Sequence, residues 1–198
     1  MKKIPFRKSL LATALVLSIS LTSCKNETAP ADSKEVAEEQ NEAAIDEAKE
    51  ELNEVEDNSQ VYIDVAEFDL AQKELALLAQ KRAVSPDIKA LAKKLADGHS
   101  ASLKELTAAT KDKGIAIPTT ITEDGQKEVD ALNKEKGQEF DVEFIDKSIT
   151  SHRDAIQDFK NESSKIKDAE VKAWLDKKVA ELQGHFDMIN DLIAKSRK

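Results

Sequence analysis

Apolar residues recur along most of this chain at steps of three and four. Val61, Val65, Phe68, Leu75 and Ala79 share one helical stripe, and Ile88, Leu91, Leu95, Leu103 and Leu106 share a second. Between them Ser85 predicts an N-cap, Pro86 a first helical position and Asp87 a favourable charge at a helix N-terminus. Two long helices therefore meet in a short turn near residue 84. The second ends at Gly114, after Lys111 and Lys113. A third stripe, from Val129 and Leu132 through Phe140, Phe144, Ile145, Ile149 and Ile156 to Phe159, predicts a helix over about 123–165, broken near Gly125 or Gly137. Asp168 is placed to cap a fourth, whose stripe runs from Val171, Trp174 and Leu175 through Val179, Leu182 and Phe186 to Ile189 and Leu192. Four amphipathic helices with short connections predict an all-α, antiparallel four-helix bundle over 61–198.

The first 60 residues follow another pattern. Lys2, Lys3, Arg7 and Lys8 precede an apolar run over 10–21, too short to span a bilayer but of the right length for a signal peptide over 1–23. The run closes in Leu21-Thr22-Ser23-Cys24, with the small residues and cysteine of a bacterial lipobox. Cys24 is the only cysteine in the chain, so no disulfide or thiolate site competes for it. The expectation is a lipid, palmitate included, on Cys24 and a membrane-anchored protein of the bacterial envelope, periplasmic or on the outer membrane. Residues 24–60 are rich in Glu, Ala, Asn and Ser. A thin stripe of Ile45, Ala48, Leu52 and Val55 allows some helix, and the segment reads as an acidic tether, flexible or partly helical.

Charge sharpens this picture. The net charge is −9, and residues 25–60 hold thirteen acidic side chains against three lysines. No basic footprint for a nucleic acid exists. The expected contacts are the membrane, through the lipid, and a protein partner or a second copy of the chain. Glycine-rich phosphate loops, nucleophile–base motifs and zincin motifs are all missing from the sequence.

The candidate chemistry lies in polar residues on the apolar stripes. There are three histidines in the chain, and each sits three or four residues from stripe positions: His99 after Leu95, His152 between Ile149 and Ile156, His185 between Leu182 and Ile189. With the turns near 84 and 167 at one end of an up-down bundle, all three lie roughly 22–27 Å from that end. Gln72 is the inward polar group expected nearest that depth on the first helix. Three imidazoles at one level suit a divalent ion such as Zn, Cu, Fe or Ni; three neutral histidines satisfied by each other, by Gln72 or by water would equally fix helix register. A di-iron carboxylate centre needs Glu three residues before histidine, and Ala96, Ile149 and Leu182 stand there instead. Gly98 and Gly184 directly precede histidines, where a close backbone approach, a water pocket beside the layer or coincidence would account for them. Asp141 shares the face of His152 three turns away, and its expected contact is a helix end.

The order and spacing of several segments resemble a known family. Glu74-Leu75-Ala76-Leu77-Leu78-Ala79, Ser85-Pro86 with Ile88-Lys89, Asp97-Gly98-His99-Ser100, Phe140-Asp141 with Phe144-Ile145 and His152, and Leu182 with His185 are similar to the domain of unknown function 4142 family over about 61–193. The resemblance implies a ferritin-like four-helix fold, an exported location, one histidine on each of the last three helices and no established reaction. Two positions depart from the family pattern, Gly98 and Gln72, where acidic residues are common. The primary expectation is a non-enzymatic envelope lipoprotein serving maintenance or binding. The alternatives are a metal-binding or storage protein using His99, His152 and His185, and a metal-dependent redox enzyme.

Overall fold

The structure is a computed structural model that describes residues 32–49 and 58–196. The expected signal peptide, Cys24 and parts of the tether (24–31 and 50–57) lie outside the described residues. Six helices make up the described chain: α1 (Ser33–Lys49), α2 (Ser59–Arg82), α3 (Pro86–Lys111), α4 (Glu123–Lys134), α5 (Gly137–Ser163) and α6 (Ala169–Ser196). The fold is all-helical, with no strand among the described residues. No helix among them is long and apolar enough to cross a membrane.

Local chemistry sets most of these boundaries. The Ser85 hydroxyl accepts the Ile88 N–H at the start of α3, with Pro86 in its first turn. The Asp168 carboxylate accepts the N–H groups of Glu170 (2.8 Å) and Val171 (3.1 Å) at the start of α6. The long third helix divides in two after Lys134, and Gly137 opens α5 with φ 58°, a left-handed conformation that glycine adopts without a Cβ clash. Gly125 instead stays within α4, where it faces the methyl of Ala71 on α2.

Helix directions follow from which ends meet. The Asp141 carboxylate, near the start of α5, accepts the N–H groups of Val84 (2.9 Å) and Ser85 (2.8 Å) in the α2–α3 turn, the helix-end contact expected of it. At the opposite end Lys113, just past α3, pairs with Glu170 at the start of α6 (2.9 Å). So α3 and α5 run the same way, and α2 and α6 run against them. The two short turns lie at opposite ends, contrary to the up-down expectation. The connection from α3 to α5 is a crossover that returns along α2 and carries α4.

Two apolar clusters fill the interior. One gathers Val61, Tyr62 and Val65 of α2, Leu106 of α3, Ile156 and Phe159 of α5, and Leu175 and Leu182 of α6. The other gathers Leu75 and Ala79, Leu91 and Leu95, Phe140 and Phe144, and Ile189 from the same four helices, with Leu132 of α4. On every one of these helices a polar residue separates the two: Asp69, His99, His152 and His185.

α1 departs from the tether expectation. Its Ala37 is 3% exposed and its Asn41 4% exposed. The Asn41 amide donates to the Ala116 carbonyl (2.8 Å) and accepts the Ala116 N–H (2.7 Å). Lys34 pairs with Glu67 of α2 at 2.6 Å, and the Ser33 hydroxyl donates to the Thr120 carbonyl at 2.8 Å. These attachments are polar, so apolar periodicity carried no sign of them.

Candidate metal centre

The histidine layer sits near the middle of α3, α5 and α6. His99 and His152 are fully buried, whereas His185 is partly exposed. Ring centroids lie 4.7 Å apart for His99 and His185, 5.3 Å for His99 and His152, and 5.5 Å for His152 and His185. One ligand nitrogen from each ring falls within 4.8 Å of the others. The shared depth was expected, although from the wrong topology: the residues align because each is central in its helix. Phe68 of α2 meets His99 (5.7 Å) and His152 (5.5 Å) in T-shaped ring contacts on one side of the layer.

Hydrogen bonds fix two of the rings. His99 Nδ1 lies 2.7 Å from Asp69 Oδ1, with the carboxylate as acceptor. His152 Nδ1 donates to the Ser148 carbonyl at 2.7 Å. The Ser148 carbonyl can only accept, which places the His152 proton on Nδ1 and leaves its Nε2 lone pair free, and an ionised Asp69 sets the same tautomer on His99. An imidazole braced on one nitrogen by a carboxylate or carbonyl is the usual outer support of a metal-ligating histidine. The third ring leaves its Nδ1 free.

Those free atoms define the site. Among the described residues, the buried side-chain nitrogen and oxygen atoms without a hydrogen-bond partner are Asp69 Oδ2, His99 Nε2, His152 Nε2 and His185 Nδ1. All four belong to this layer. An unsatisfied buried polar atom costs about 1–3 kcal/mol, so the three ring nitrogens, which converge within 4.8 Å, call for a shared partner. Burial also lowers the imidazoles of His99 and His152 to about 3 and that of His185 to about 4, which keeps all three neutral near pH 7. Burial raises the Asp69 carboxyl to about 7, opposed by the Ser102 hydroxyl and the Lys178 ammonium. Three neutral nitrogen donors suit Zn, Cu, Fe or Ni rather than the oxygen-seeking Mg or Ca. A tetrahedral ion with bonds of about 2.0 Å would draw such nitrogens to within roughly 3.3 Å, a closure on the order of 1 Å.

Two of the remaining sequence expectations change. Gln72 is buried but bonds to none of the three rings; it lines a separate groove with Ser151, Ala155 and Asp158. The α2 member of the layer is Asp69, four residues after Val65 and three before Gln72, so the stripe spacing itself could have found it. Gly98 answers a close approach: a Cβ there would fall 2.4 Å from His185 Nε2 and 2.8 Å from its Cε1. An acidic side chain at that position is incompatible with His185 where it stands. Gly184 faces open space, and nothing in the structure explains it.

Comparison with curated proteins and with solved structures returned no match. The family described as Domain of unknown function (DUF4142) matches residues 41–192, from the middle of α1 to near the end of α6, and the chain belongs to that family.

Proposed function

We propose that this protein binds one divalent transition-metal ion through His99 Nε2, His152 Nε2 and His185 Nδ1. The observation that carries the reading is the convergence of three unpartnered, neutral imidazole nitrogens, two of them braced from behind. Three ligands leave a fourth position for water or a small ligand, and Asp69 supplies the outer carboxylate. Zn, Cu, Fe and Ni are the candidates, and binding or storage of the ion is the role.

The carrier is a ferritin-like four-helix core of α2, α3, α5 and α6, a reading supported by two antiparallel hairpins joined through one long crossover. The lipobox supports a lipid on Cys24 that holds the domain at the bacterial envelope, in the periplasm or on the outer membrane, where it contributes to maintenance of that compartment.

The test is elemental analysis of untagged protein after incubation with each metal, beside His152→Ala. One ion per chain, lost in the variant, is the expected result. A metal-free wild type would leave the layer as polar core packing. Intact mass of wild type against Cys24→Ala tests the anchor separately.

A further inference from the structure

A cavity of about 200 Å³ opens beside the histidine layer between α2, α3, α5 and α6. Glu105, Lys178 and Glu181 line it together with Asp69, His185 and Gly98. Exposure orders these groups from outside to inside. The Glu105 side chain is 52% exposed and that of Glu181 35%, whereas those of Lys178 and Asp69 are each 2% exposed. Of the three imidazoles, the cavity reaches only His185, the ring that is partly exposed.

Two atoms on its inner side lack a partner. Asp69 Oδ2 and His185 Nδ1 have no hydrogen-bond partner, and both residues line the cavity. The cavity's charged lining is instead paired: Lys178 Nζ lies 3.2 Å from Glu105 Oε2 and 2.9 Å from Glu181 Oε2. A divalent cation arriving from solvent meets two carboxylates, then a buried carboxylate oxygen, then a ring nitrogen. The neighbouring groove past Gln72 also carries acidic residues, but no histidine lines it, and Phe68 stands between it and the layer.

We infer that this cavity is the path by which the divalent ion reaches and leaves the histidine layer, with the Lys178 ammonium as its gate. The inference rests on the metal-binding reading above. Lys178 holds the same carboxylates that an incoming cation would use, and its buried charge repels that cation. Lys177 is the internal control. It pairs with the same Glu105 (2.8 Å) and Glu181 (3.5 Å) but stands on the surface, outside the cavity lining.

The experiment mixes Co²⁺ with the full-length chain in stopped flow and follows the visible ligand-field absorbance. Lys178→Met keeps the side-chain stem and is expected to speed loading about tenfold, an effect of the size that local fields exert on association rates. Lys177→Met, with the same change in net charge, is expected to stay within about twofold of wild type. The paired change Glu105→Gln with Glu181→Gln keeps an amide oxygen at each position to accept from the Lys178 ammonium and is expected to slow loading at least about fivefold. Should Lys178→Met fail to fold, the glutamine pair decides alone. Wild type that takes up Co²⁺ at rates unmoved by either change overturns the path while leaving the metal site standing. Wild type that gives no Co²⁺ signal overturns the metal site and the path together.

Discussion

Gly98 is held to its identity by a ring from another helix rather than by its own backbone. Alanine there would favour α3 by about 1 kcal/mol through helix propensity, but its methyl would displace the His185 ring. Gly98→Ala is therefore expected to leave the urea midpoint little changed while abolishing metal retention, a separation read from unfolding curves beside a metal titration. Asp69 acts from behind His99 instead. Asp69→Asn keeps the size of the side chain and removes the charge that orients the ring, and metal affinity is expected to fall about 10- to 100-fold; competition against a chelator of known affinity would measure it. These two residues also mark how far the site was legible. Three histidines on three apolar stripes stand out because each is a rare residue in a regular pattern. Asp69 obeys the same spacing, yet an aspartate amid the charges of α2 resembles any solvated residue until the partner that desolvates it is known.

At the scale of elements, periodicity found α2, α3 and α6 within a few residues, because their buried stripes and caps agree. It could not decide where the third helix breaks, since Gly125 and Gly137 are equivalent as letters; packing against Ala71 keeps one in the helix and a left-handed turn takes the other out. It also passed over α1 as part of the domain. The thin stripe begun by Ile45 and Ala48 allows a helix there, but attachment through an asparagine amide and a lysine leaves no apolar signal of docking. Asn41→Ala removes both bonds to Ala116, at about 0.5–1.5 kcal/mol each. The expected outcome is faster amide hydrogen exchange in α1, with protection in α3 and α5 unchanged. Equal loss of protection in all three helices would show α1 to be integral to the fold.

At the scale of the whole molecule, the layer couples stability to pH. The three imidazoles have lowered values when folded, so their contribution is complete above 6.5 and is lost as pH falls toward about 4 and then 3. Asp69 has the opposite sign: its value is raised to about 7, and its contribution is lost as pH rises from 3.8 through 7. Between 6.5 and about 4 the imidazoles outnumber the carboxyl, and unfolding takes up a net two protons. Each proton is worth about 1.4 kcal/mol per pH unit, so metal-free protein is expected to lose stability steeply on acidification in that window. Urea titrations at pH 7 and pH 5 check this, and an unchanged midpoint would contradict it. Topology at this scale was the least legible property of the sequence. Two orders of the same four helices place the histidines at the same depth, and tertiary contacts such as those of Asp141 and Lys113 tell them apart.

The long crossover has a consequence for how the chain assembles. It divides the layer evenly: Asp69 and His99 belong to the hairpin of α2 and α3, while His152 and His185 belong to the hairpin of α5 and α6. Each hairpin can form from neighbours in sequence, but the pairing of the two must close a much longer loop and comes later. Neither half alone owns three nitrogens. On the proposed metal binding, affinity for an ion would come into being only when the halves dock, and during refolding the Co²⁺ colour would lag behind the return of helix, timing the last step of folding rather than the first.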